Sequence, residues 1–98
     1  MDHFRGKLLN GEEPLFDSLD VYLGSHAGSN GQKKWFGFFE MSSEQRQQVG
    51  PGVKYKLELV DGRSCEFYVD IHPSNAPGRF TAEFHVMGQF KERKVLRR

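Results

Sequence analysis

Apolar and polar residues alternate along three stretches of the chain with the two-residue period of a strand that has one dry and one wet face. In Val53-Lys54-Tyr55-Lys56-Leu57-Glu58-Leu59 every odd position is apolar and every even one charged. Cys65-Glu66-Phe67-Tyr68-Val69-Asp70-Ile71 repeats the pattern, and Phe80-Thr81-Ala82-Glu83-Phe84-His85-Val86 repeats it again. Parity restricts how these strands pair. A two-residue turn at Asp61-Gly62 would set Leu57 against Glu66, apolar against polar along the whole ladder. A three-residue loop, Val60-Asp61-Gly62 with Gly62 left-handed, instead pairs Leu57 with Cys65, Tyr55 with Phe67 and Val53 with Val69, all facing one core.

The second hairpin carries a long turn-rich loop, His72 to Arg79. Pairing Ile71 with Phe80 keeps the apolar faces together, with Val69 against Ala82, Phe67 against Phe84 and Cys65 against Val86. On the wet face this register predicts Glu66 opposite His85 and Tyr68 opposite Glu83. We read the first pair as a structural cross-strand contact rather than an acid–base dyad.

The N-terminal half is less regular. Phe4 to Leu9 predicts a strand ending at Asn10-Gly11, and Leu19, Val21 and Leu23 predict a second. Gly24-Ser25-His26-Ala27-Gly28-Ser29-Asn30-Gly31 has no apolar residue larger than alanine and reads as an exposed loop. Ser42 followed by Gln45 fits a capping box for a short helix over about residues 42–49, which Gly50-Pro51-Gly52 ends. Five or six short strands with at most one short helix predict an all-β fold, a small antiparallel barrel or strongly curved sheet, since closure would hide the edges of the alternating strands. At 98 residues the chain holds one domain, placed over 1–90, with 91–98 as a basic C-terminal tail.

Composition narrows the functional classes. Charged residues at 28% and hydrophobic ones at 37% are ordinary for a globular protein, and the apolar runs are too short to span a membrane. The N-terminal residues carry no secretory signal, and the single cysteine, Cys65, fits a reducing compartment, so a cytoplasmic location is expected. The net charge of +1 hides an asymmetry: the tail has five basic residues against Glu92, whereas residues 1–90 have nine basic against twelve acidic. His3, His26, His72 and His85 lack the spacing of a metal site. Gly28-Ser29-Asn30-Gly31 matches a bare GXXG but lacks flanking helices, and no Walker loop follows it. Neither a metal nor a cofactor is expected, and no strained nucleophile turn or carboxylate cluster supports catalysis.

Residues 33–39, Lys33-Lys34-Trp35-Phe36-Gly37-Phe38-Phe39, hold the richest chemistry. Over six residues, Lys34 to Phe39, they resemble the RNP1 element of RNA-recognition and cold-shock domains, retaining Lys34, Phe36, Gly37 and Phe38 and departing at Trp35. That resemblance implies that Phe36 and Phe38 share a face and stack on unpaired bases, while Trp35 and Phe39 point inward. The competing expectation, which we favour at this level, is that the Met41–Val49 segment covers the second face and all four aromatics are core. Two functions follow: a non-enzymatic protein-binding module, which leads, and single-stranded nucleic-acid binding as the alternative. Candidate contact residues are Lys33, Lys34, Phe36, Phe38, Tyr22 and Tyr68, with Lys91, Arg93 and Lys94 from the tail. The partner's identity and the oligomeric state are not set by the sequence.

Overall fold

The computed structural model describes residues 1–92. Seven strands and one helical turn run in the order β1 (Asp2–Asn10), β2 (Glu13–Ala27), β3 (Lys33–Ser42), α1 (Ser43–Arg46), β4 (Tyr55–Leu59), β5 (Arg63–Pro73), β6 (Arg79–Val86) and β7 (Lys91–Glu92). Two three-stranded meanders, β1-β2-β3 and β4-β5-β6, join through β1–β4 and β3–β6, all antiparallel, and β4 also pairs with β5. The result is a closed six-stranded antiparallel barrel with one short helix, as the alternation predicts. The two-residue β7 adds to β5 at Arg63 and Ser64.

Leu8, Val21, Leu23, Phe39, Met41, Tyr55, Leu57, Phe67 and Phe84 fill the interior, and among the described residues no polar or charged one is buried with them. Phe67 and Phe84 stack with centroids 4.0 Å apart at the centre. At one end, Ser42 accepts from the Gln45 backbone while the Gln45 side chain accepts from the Ser42 N–H, the expected capping box. The chain then drops Val49 into the core, and Gly50 N–H donates to the Tyr55 hydroxyl at 2.8 Å. Elsewhere on the barrel the Arg63 guanidinium lies 5.1 Å from the centroids of both Phe4 and Phe90, and the Phe90 ring meets Trp35 edge-on. No helix among the described residues is long and apolar enough to cross a membrane.

The first hairpin register is as predicted: Leu57 faces Cys65, Tyr55 faces Phe67, and Gly62 has φ +96° in the loop. The expected Val53–Val69 pair does not form, because β4 starts only at Tyr55. In the second hairpin the register is shifted by two residues from the expected one. Ile71 faces Ala82, Val69 faces Phe84, Phe67 faces Val86 and Pro73 faces Phe80. A slip of two leaves every side chain on its own face, so alternation cannot detect it. The loop is therefore shorter, closed by Ser74 N–H donating to Arg79 O at 2.9 Å, with Gly78 at φ +74°. On the wet face Tyr68 now faces His85 and Asp70 faces Glu83, so Glu66 and His85 form no pair. Residues 24–27, expected in a loop, instead extend β2 and pair with Lys33 to Phe36.

Cys65 is 4% exposed and burial pushes its thiol up to about 12 from an ordinary 9.0. The folded chain therefore keeps this proton where the unfolded chain loses it. Stability from this group is complete below pH 9 and is lost as pH rises toward 12, at roughly 1.4 kcal/mol per pH unit. Denaturation at pH 7 and pH 10 of the parent and of Cys65→Ala should show a steeper loss in the parent, and native labelling by a thiol reagent at pH 7 should be slow. Fast stoichiometric labelling would contradict the burial.

Candidate functional site

On β3, residues 36, 38 and 40 point away from the core that Gly37, Phe39 and Met41 enter. Phe36 and Phe38 are accordingly half-buried on the outside of the barrel, and the expectation that all four aromatics are core is wrong for these two. The segment after Met41 does not cover them, because it turns to close the barrel end instead. Phe39 is fully buried, whereas Trp35 is half-buried against Phe90.

The outer face around Phe38 is built by cross-strand neighbours. Tyr22 on β2 faces Phe38, and the two rings stack at 5.2 Å with an interplanar angle of 19°. His3 on β1 faces Tyr22, with ring centroids 5.2 Å apart. Phe36 faces Gly24 on one side and His85 on the other. Its ring lies over Gly24, where a Cβ would come within 2.9 Å of Phe36 Cζ, so the glycine is what lets this aromatic lie flat on the sheet. His26 tilts against Phe36 at 5.7 Å, and beyond His85 the exposed Tyr68 ends the row.

Carboxylates surround this platform. Glu83 faces Phe38 from β6, Glu40 follows it on the same face of β3, and Asp20 precedes Tyr22 on β2. His3 Nε2 contacts Asp20 Oδ1 at 2.7 Å and Arg5 donates to the same oxygen at 3.2 Å. The His3 hydrogen bond, helped by the Arg5 charge, lowers the Asp20 pKa, so this acid stays ionised at neutral pH. Arg79 lies 3.7 Å from Glu40, and His72 lies 3.4 Å from Glu83. Two open grooves flank Phe38. One, of about 530 Å³, is lined by Ser18, Asp20, Tyr22, Glu40, Gln45 and Arg79. The other, of about 260 Å³, lies between Met1, Phe36, Glu83 and His85.

Of the sequence-based contact residues, Tyr22, Phe36, Phe38 and Lys34 share this face, with Tyr68 at its margin. Lys33 does not join them: its parity is that of Trp35, and its ammonium sits 5.7 Å from the Trp35 centroid. Lys91 lies apart in β7, opposite Ser64. Arg93 and Lys94 lie outside the described residues. The sequence reading missed His3, Asp20, Glu40, Glu83 and Arg79, which gather only once the barrel closes. Their outward parity on alternating strands was the sole available signal. Chemically the face offers stacking surface, acceptors and exposed charge. Among the described residues no group of three or more His, Cys, Asp or Glu could hold a metal ion. The geometry is that of a small antiparallel barrel with an aromatic outer face. Comparison with family models, curated proteins and solved structures gave no match to this chain, so the functional reading rests on this geometry alone.

Proposed function

We propose that the barrel of residues 1–90 is a binding module that docks a protein partner on the outer face of β2, β3 and β6, with Tyr22, Phe36 and Phe38 at the centre. The observation that carries this reading is the Tyr22–Phe38 stack, which lies outside a core that is already complete without it. Rigid aromatic surface rimmed by polar groups is the usual composition of a protein contact. The outward Phe36 and Phe38 also satisfy the geometry of base stacking, but the surroundings disfavour phosphate. Asp20, Glu40 and Glu83 border the platform, the guanidinium groups of Arg5 and Arg79 are already engaged by Asp20 and Glu40, and Lys33 turns toward Trp35, leaving Lys34 as the lysine on this face.

Tyr22→Ala and Phe38→Ala should each leave a folded chain, with a stability loss of about 1 kcal/mol, the scale of one aromatic pair. Immobilised parent chain should retain a protein from cell extract that survives nuclease treatment, rebinds when purified, and is lost with both variants. Mixed-sequence single-stranded RNA and DNA should show no patch-dependent binding at low or moderate salt. Salt-sensitive nucleic-acid binding lost in the well-folded variants would reverse the ranking of the two functions.

A further inference from the structure

The β2–β3 ladder stops at Val21–Phe39, although both strands continue past it. Extended by the same register, it would set Asp20 opposite Glu40, Leu19 opposite Met41 and Ser18 opposite Ser42. The reason for the split is on the other side of β2. Between the pairs Gly6–Leu19 and Leu8–Phe16, the single residue Lys7 is matched by two, Asp17 and Ser18, a bulge that bends β2 away from β3. The groove of about 530 Å³ occupies this seam, with Asp20 and Glu40 on its opposite banks. Each of these carboxylates already meets an arginine of this chain, Arg5 at Asp20 and Arg79 at Glu40, so guanidinium is a cation this seam already accommodates.

Its hydrogen-bonding capacity is one-sided. His3 and Arg5 both contact Asp20 Oδ1, and Arg79 contacts Glu40 Oε1, which leaves Asp20 Oδ2 and Glu40 Oε2 without partners among the described residues. Ser18 Oγ already accepts from Arg5, and Gln45 Oε1 from the Ser42 N–H. The stacked rings of Tyr22 and Phe38 complete the wall. Unused carboxylate oxygens on two banks beside a flat aromatic surface match a planar donor-only cation, which can stack and donate in two directions at once. An ammonium has the charge without the plane, and a phosphate has the wrong sign.

We infer that this groove receives an arginine side chain of the protein partner, its guanidinium bridging Asp20 and Glu40 and lying against Tyr22 and Phe38. The inference rests on the reading of this face as a protein-binding surface and adds the chemistry of what it recognises. The probe is a short capped peptide with one central arginine, titrated into the labelled chain and followed by amide shifts, beside peptides carrying lysine or uncharged citrulline at the same place. Saturable shifts confined to residues around Asp20, Tyr22, Phe38 and Glu40 are expected, strongest for arginine. The double variant Asp20→Asn, Glu40→Gln should weaken the arginine peptide roughly tenfold, since exposed charge contacts contribute modestly each. Both substitutions are isosteric on exposed side chains, and unchanged shifts elsewhere will show that the fold is kept. Equal binding of the citrulline peptide, no saturable shifts, or indifference to the double variant would overturn the inference. If the purified partner is then still lost with Tyr22→Ala and Phe38→Ala, the protein-binding face stands and only the arginine assignment falls.

Discussion

Phe67→Ala is expected to cost about 3–5 kcal/mol of folding stability, a large share of the total for a domain of this size. Phe67 is wholly buried and stacks on Phe84 at 4.0 Å, while its neighbours across the sheet are Tyr55 and Val86. It therefore belongs to both hairpins of the second meander, and its loss opens a cavity where β4, β5 and β6 meet. A closed barrel resists collapse around such a cavity because each strand is held by hydrogen bonds on both sides, so little of the cost can be recovered by relaxation. Urea denaturation of the parent and the variant measures the effect directly. A loss below about 1.5 kcal/mol would mean that the centre of the barrel is packed differently, since Leu→Met-like substitutions of conserved volume already reach that scale. The same measurement on Phe38→Ala supplies the contrast. Two phenylalanines with equally regular alternation around them should differ several-fold in cost, because one faces the core and the other the outer surface.

That contrast marks the limit of what the sequence reveals. The second meander was legible because Leu57, Leu59, Cys65, Phe67, Val69, Ala82 and Phe84 alternate with charged or polar residues, and period-two patterning reports which face is dry. Gly62 added the missing constraint for β4 and β5 by requiring an odd loop. No such constraint acted between β5 and β6, where an even slip is invisible to parity, so the shorter loop and the Val69–Phe84 pair had to come from the structure. The first meander was only partly legible. Ser25, His26 and Ala27 carry no apolar signal because β2 there is held by its backbone pairing to β3 and not by side-chain burial. The site was less legible still. Parity placed Phe36 and Phe38 together, but whether their face is covered depends on where the Met41–Val49 segment goes. Asp20 and Glu40 meet only through the β2–β3 register and the bulge at Asp17 and Ser18, neither of which leaves a mark in local composition.

Gly37→Ala is expected to destabilise the chain by about 3 kcal/mol or more, at or above the upper end of ordinary overpacking. The glycine is not required by backbone conformation: it sits in mid-strand, outside the set of residues at positive φ. Space requires it. A Cβ at this position would press on the carbonyl oxygen of Tyr22, and would stand 2.8 Å from Leu23 Cδ2 and 2.9 Å from Phe84 Cζ. The two side chains could give way, but the carbonyl belongs to the neighbouring strand of the same ladder, so accommodation means moving β2 from β3. That displacement acts on both faces of the sheet. Inside it disturbs the Phe84 ring that Phe67 stacks on, and outside it shifts Phe36 and Phe38, which flank Gly37 on the chain, relative to Tyr22. The variant should therefore lose stability and partner binding together, whereas Phe38→Ala should lose binding with most of its stability kept. Pairing Gly37→Ala with Phe84→Leu should restore only part of the loss, because the Tyr22 carbonyl remains in the way. Full restoration would identify the ring as the sole obstacle, and an unchanged melting temperature for Gly37→Ala alone would show that the strands are not in such close approach. The glycine between the two phenylalanines, the feature that most resembles an RNP1 element, is thus explained by packing within the barrel, with no nucleic acid needed to account for it.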